Sequence, residues 1–405
     1  MKRYIPAMLC TLGALLMAVA ASCTDSKDEP APPAPKESTC TVLVYMAADT
    51  NLGASGYDTD DIDEMILGAS NGALGTGRLI VYHSRKAKDP VLVEITATGT
   101  DTIATYDYGT LASDPERMLE VIGKVRDYAP APKYGLVLWG HGTGWVMDGV
   151  DRRSSQSRSG ISYSYGPETN KNLSINVDDL AATLAEAGGF DYIYFDCCYM
   201  ANVETVYELR RCASYIVGSS TELLTSGMPY HSNLPLLISG TRDDLIQAAT
   251  NTFELYNGQA SASARTCTMS VIDTGALERL GRATYEVYRA SGIPEVPDYQ
   301  PQRLSDYGVT CYYYDFKDYV EAVCANSSVP EALRQEFESA FSAAVVYSAH
   351  TAKLWNSVDL SRENGLSTFL PFHGNYRPEI VEKYGRLEWS GIYGGFLDQP
   401  DSGRN

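Results

Sequence analysis

Short runs of apolar, often β-branched residues alternate along this chain with stretches whose apolar positions recur every three or four residues. Cys40–Met46, Arg78–His83, Tyr134–Trp139, Tyr192–Phe195 and Tyr215–Val217 are runs of the first kind, and runs of that length bounded by turn residues read as buried strands. Ile62, Met65, Ile66 and Ala69 fall at helical spacing between Asp60 and Ala69, as do Met118, Leu119, Ile122 and Val125 between Asp114 and Tyr128. Further helices are predicted near Val177–Ala187 and Ala201–Arg211. Strand alternating with helix predicts an α/β fold, a mostly parallel central sheet covered on both faces. In such a sheet, chemistry gathers at the carboxyl ends of the strands. After Asp273 the pattern turns helical, with Leu277, Leu280, Ala283 and Val287 on one face, and the Pro-rich Ile293–Pro297 follows. Helices near Asp315–Cys324 and Pro330–Val346 and a strand near Ser367–Pro371 predict a small C-terminal subdomain, residues 279–405. It would buttress a main domain at 39–278.

The amino terminus reads as an address. A basic start, Lys2-Arg3, precedes the apolar run Ile5–Ala21, the layout of a secretory signal over residues 1–22. Ala20-Ala21-Ser22-Cys23 resembles the lipobox of bacterial lipoproteins, which would make Cys23 the lipidated new amino terminus; cleavage by an ordinary signal peptidase is the alternative. The segment 23–38, acidic and then Pro-rich, reads as an extended spacer. The chain is expected on the outer membrane or cell surface through its lipid anchor, or else in the periplasm or secreted.

Composition narrows the functions. Over 405 residues, 51 acidic against 32 basic side chains give a formal charge of −19, so nucleic acid is not an expected partner. Of nine cysteines, Cys10 leaves with the signal and Cys23 would carry lipid. The remaining odd number implies at least one free thiol. No CxxC or HExxH spacing suggests a zinc site, and no metal is assigned. Asp58, Asp60, Asp61 and Asp63 offer oxygens to calcium in principle, but their spacing is not an EF-hand loop and a solvated helix start is the simpler reading. No cofactor is required. The chain is expected to be a monomer.

Two strand ends carry chemistry. Tyr134–Trp139 runs into Gly140-His141-Gly142-Thr143-Gly144-Trp145, a tight loop that projects an imidazole. The next core strand ends in Asp196-Cys197-Cys198-Tyr199-Met200-Ala201-Asn202 and turns toward a helix, whose amino terminus is expected to favour thiolate at Cys198. A thiolate attacking a carbonyl while an imidazole handles the leaving amine's proton is the implied reaction. Each motif alone is usually a turn or a packed cysteine; their pairing on sequential strands is far less ordinary.

Together with Val44–Leu52, Tyr313-Tyr314-Asp315-Phe316 and Gly365–Pro371, these motifs, in this order, resemble the clostripain family of cysteine peptidases over nearly all of the mature chain. The resemblance implies a caspase-like three-layer sandwich and endopeptidase activity on protein or peptide substrates, typically after Arg or Lys. It places the catalytic dyad on His141 and Cys198, with an oxyanion hole from the backbone N–H groups of Gly142 and Cys198. It puts Asp196 in the pocket for the P1 side chain, although Asp196 reads equally as a helix N-cap. A second acid is expected further along, where only Glu222 is acidic. Family members are often activated by cutting between His and Cys; Arg152, Arg153, Arg158 and Lys171 are the candidate self-cleavage residues. The competing expectation is a catalytically silent surface lipoprotein that binds peptides or glycans on the same scaffold.

Overall fold

A computed structural model describes residues 38–146, 175–292, 296, 299–305, 311–371, 373, 376 and 378–396. The signal, Cys23, the spacer up to residue 37 and the candidate cleavage residues Arg152, Arg153, Arg158 and Lys171 lie outside them.

The apolar runs form the strands expected, β5 with the bounds read from sequence and the other four running further: β1 (Thr41–Ala48), β2 (Arg78–Arg85), β5 (Tyr134–Trp139), β6 (Phe190–Asp196) and β7 (Ala213–Gly218). Between them lie β3 (Val91–Thr96) and β4 (Gly99–Thr105), and beyond them β8 (Thr268–Asp273), a two-residue β9 (Tyr314–Asp315) and β10 (Val345–His350). Among the described residues the main sheet has nine strands in the order β10-β8-β7-β6-β5-β1-β2-β3-β4. β2, β1, β5, β6 and β7 run parallel, while β3, β4, β8 and β10 add antiparallel edges.

Alternation along the strands splits the core into two layers. Val42, Val44, Val137, Tyr192 and Tyr194 face α2 (Tyr57–Ser70), α6 (Tyr230–Ser239) and α7 (Arg242–Asn257), which supply Met65, Leu234, Leu237 and Leu245. Leu43, Leu136, Leu138, Ile193 and Phe195 face α3 (Pro115–Tyr128), α4 (Val177–Glu186), α5 (Val203–Glu208) and α8 (Leu277–Ser291). All eight residues of β1 are buried, as a central strand covered on both faces requires. The caspase-like α/β sandwich is thus present.

The segment after residue 278 does not stand apart. β10 hydrogen-bonds along β8, and Phe316, Phe337 and Trp389 share a core layer with Leu138. Arg210, nearly buried, joins Glu278 at 2.6 Å and Glu388 at 2.5 Å. Strands β3, β4, β8 and β10 were not expected: β4 is mostly Thr and Gly, and β10 follows directly on the helix α10 (Glu331–Ala344) with no turn residues between. The helix expected over Ala201–Arg211 is shorter, α5 ending at Glu208 with a 3₁₀ turn after it.

Candidate active site

β5 and β6 are neighbours with Trp139 opposite Asp196, so the loops that follow leave the same sheet edge side by side. A Cβ on Gly142 would lie 2.5 Å from the Cys198 carbonyl oxygen and 2.9 Å from Cys197 Cβ; only glycine lets the His141 and Cys198 loops touch. Tyr199, just after the cysteine, is held in the left-handed region at φ +61°, a conformation that costs a non-glycine residue about 1–3 kcal/mol. Its N–H donates to Thr221 O at 2.8 Å, its carbonyl accepts from Asn202 Nδ2 at 2.7 Å, and its ring stacks on Tyr313. Tyr313 in turn donates its hydroxyl proton to Thr143 O in the histidine loop. The distant Tyr313–Phe316 motif is thereby a strut between the two loops.

His141 Nε2 lies 2.7 Å from Asn51 Oδ1, so the amide oxygen fixes the proton on Nε2 and frees Nδ1 for proton exchange. Asn51 opens the short helix α1 (Asn51–Ala54), capped by Thr50 Oγ1 accepting from Leu52 N–H. Asn51 lay within a recognised motif without a role; the available signal was a polar residue ending the loop after β1, the strand beside β5. Burial lowers the imidazole's pKa.

Cys198 is held by a different segment. Leu223 N–H donates to its sulfur at 3.4 Å, and the thiol donates to Leu223 O at 3.7 Å. Burial first, then the charge of Glu222, push the thiol's pKa up to about 12, with Asp196 adding to the rise. The expected thiolate at a helix amino terminus is corrected: α5 begins at Val203 and its cap is Asn202, which accepts from Thr205 N–H at 2.8 Å. Thiol and imidazole make no hydrogen bond to each other here. Cys197 is packing, its thiol donating to Leu138 O at 3.0 Å. All seven described cysteines are free thiols.

Asp196 is not a helix cap. It is buried beside Trp139 on the face covered by α2 and α6, where its Oδ2 accepts from Tyr230 OH at 3.0 Å and from Met228 N–H at 3.4 Å. Asp61, read from sequence as a solvated helix start, is buried too and accepts from Trp139 Nε1 at 2.6 Å. Burial raises both carboxyls, and the charge of Asp196 raises Asp61 further. Glu222 is engaged elsewhere, accepting from the Trp355 indole N–H. Asp58 pairs with Arg85 at 2.8 Å and His83 at 2.6 Å. Among the described residues no group of three or more His, Cys, Asp or Glu side chains is placed to hold a metal ion. A hollow of about 440 Å³ opens beside Gly188–Phe190, Arg210–Tyr215 and Asp273–Gly275, away from the His141 and Cys198 loops.

The model of the clostripain family of C11 peptidases matches residues 44–389. The chain belongs to the clostripain family. It is therefore a cysteine-type peptidase. An inactive zymogen C11 protease from Parabacteroides distasonis is 28% identical, matching 89% of this chain and 99% of its own length at a TM-score of 0.72. A secreted C11 cysteine protease from Bacteroides thetaiotaomicron, solved with an irreversible peptide inhibitor, is 26% identical over 88% of this chain and 99% of its own, also at 0.72. A structure of a secreted C11 cysteine protease of that organism named iotapain is 22% identical over 89% of this chain and 100% of its own, at 0.74, a likeness of fold alone. No curated protein sequence matches the chain. In the clostripain-family frame, the two loops at the β5 and β6 ends carry the candidate nucleophile and base.

Proposed function

We propose that the protein is an exported cysteine endopeptidase, lipidated at Cys23, that cleaves exposed protein chains after basic residues through Cys198 and His141. The observation that carries the reading is the touching pair of loops at one sheet edge, with His141 oriented by Asn51 and Cys198 held by a sharp turn. No described helix is long and apolar enough to cross a membrane, so attachment would rest on the lipid.

In the reaction, the Cys198 proton passes to His141 as the sulfur attacks the scissile carbonyl carbon. The backbone N–H groups of Gly142 and Cys198 receive the developing oxyanion. The C–N bond breaks as the imidazolium returns its proton to the departing amine, and water activated by the neutral imidazole hydrolyses the thioester. The thiol, bonded to Leu223 rather than to His141, fits a latent chain in which the hold of Leu223 is released before the sulfur reacts. We assign that release to cleavage at Arg152, Arg153, Arg158 or Lys171 by the enzyme itself.

A panel of fluorogenic peptides with Arg, Lys and neutral P1 residues tests the activity, with Cys198→Ala and His141→Ala as controls. Turnover after Arg or Lys, lost in both variants, is expected. Turnover that survives in Cys198→Ala contradicts the dyad. On a denaturing gel, purified wild type should show a nick in the 147–174 segment that Cys198→Ala lacks.

A further inference from the structure

Asp61 occupies a place on α2 where an apolar side chain belongs. With Met65 and Gly68 it falls at positions i, i+4 and i+7, on the buried stripe of α2, and it is 4% exposed, against 7% for Asp196. Burying two carboxyls without a cation is costly, and neither is paired with one among the described residues. The groups that face them are Asp60 and Glu64 on α2, Trp139 on β5, Tyr194 on β6, Tyr230 on α6 and Tyr256 on α7. None of these carries a positive charge. Every donor the pair receives is an aromatic N–H or O–H or the Met228 N–H. Gly227 presses on the same carboxylate: a Cβ there would sit 2.7 Å from Asp196 Oδ2.

We propose that Asp61 is the second acid of the P1 pocket and that, together with Asp196, it selects substrates whose P1 side chain ends in a guanidinium or ammonium group. This rests on the reading of Asp196 as the P1 acid and supplies the partner that the sequence suggested in Glu222. Asp196 lies two residues before the nucleophile and bonds Tyr230 of α6, so a side chain reaching it from the Cys198 carbonyl site would pass between β6 and α6. Asp61, bonded to Trp139, is the neighbouring carboxyl it would meet there. A guanidinium, with five donors in a planar fork, can bridge two carboxylates; an ammonium is a compact point charge and serves them less evenly. Arg at P1 is therefore preferred over Lys. Glu64, half exposed on the next turn of α2, is engaged by His231 Nδ1 at 3.1 Å.

The test compares kcat/KM for three peptides that differ only at P1, Arg, Lys and the uncharged Arg isostere citrulline, in wild type, Asp61→Asn, Asp196→Asn and Glu222→Gln. The asparagine keeps an acceptor for Trp139. Asp61→Asn should lower kcat/KM on the Arg peptide about 10- to 100-fold, the range for losing one charge-assisted contact. The citrulline peptide and the rate of Cys198 alkylation should hardly change, so the Arg-to-citrulline ratio narrows; Glu222→Gln should leave that ratio alone. A wild-type enzyme that cleaves the Arg and citrulline peptides equally overturns the basic-P1 reading, and Asp61's role with it. A wild-type preference for Arg that Asp196→Asn removes but Asp61→Asn leaves intact overturns Asp61 alone, as does an equal fall on all three peptides. Should Asp61→Asn not fold, Asp61→Glu carries the test: a carboxylate one methylene longer must shift the Arg-to-Lys ratio, and an unchanged ratio contradicts the proposal.

Discussion

Two buried acidic regions of this protein serve different neighbours: one ties the C-terminal strand to α5, the other lies by the loop that holds the nucleophile. Glu204, on α5, is fixed by the strand around residue 368: its Oε1 accepts from Phe369 N–H at 2.9 Å and from Thr368 Oγ1 at 2.8 Å. It ties the C-terminal strand to the helix that follows the nucleophile. The Asp61–Asp196 pair lies on the other face of the sheet, held chiefly by an indole N–H and a phenol O–H. It sits beneath the loop at 222–228 that also clasps Cys198. Glu204 joins two segments through one oxygen, and withdrawing it leaves Phe369 N–H and Thr368 Oγ1 buried and unpaired. Asp196 instead accepts from Met228 N–H in the loop whose Leu223 also holds the nucleophile, which puts the pair next to the chemistry rather than between distant segments.

The contrast is open to direct attack. The largest effect separates architecture from chemistry: Cys198→Ala should abolish turnover on every peptide while leaving the melting temperature near that of wild type. A large drop in stability would mean that the thiol–Leu223 clasp is structural. Glu204→Ala should cost about 3 kcal/mol, the usual penalty for stranding buried partners, seen as a lower midpoint in urea. A midpoint within error of wild type would remove Glu204 from the architecture.

Asp61→Asn should have the opposite sign. Folding raises both carboxyl pKa values of the pair, so their contribution to stability is complete below the ordinary carboxylate pKa and is lost as pH climbs through the raised values. Thermal melts of Asp61→Asn and wild type should therefore coincide near pH 4, with the variant the more stable at pH 8. A variant less stable at both pH values would assign Asp61 to the architecture with Glu204. For Cys198, held neutral with a pKa near 12, alkylation of the uncut protein by iodoacetamide should quicken about tenfold per pH unit between 7 and 10. A rate flat across that range would reveal a preformed thiolate–imidazolium pair. The smallest change concerns orientation: Asn51→Ala should lower kcat about tenfold with little change in KM, through loss of the ring's partner, whereas Asn51→Asp should restore part of it.

The sheet's centre was legible because β1, β5 and β6 are buried on both faces and so read as unbroken apolar runs. The two reactive loops were legible because each follows such a run directly. The antiparallel edges were not: β4 exposes Thr and Asp on an outer strand, and β10 takes over from α10 without punctuation. Nor was the acid pair. Asp61 and Asp196 stand 135 positions apart in sequence, and an Asp among Asp58, Asp60 and Asp63 reads as solvated until the packing of α2 on Trp139 turns it inward. Asn51 was hidden for a related reason, since its partner His141 lies on the neighbouring strand's loop.

Which sulfur reacts decides the mechanism most directly. A peptidyl acyloxymethyl ketone with Arg at P1, incubated with the purified enzyme and followed by intact mass and peptide mapping, should add one label, on Cys198, and none to His141→Ala. A label on another cysteine, or no label on an enzyme that still cleaves Arg peptides, would contradict it.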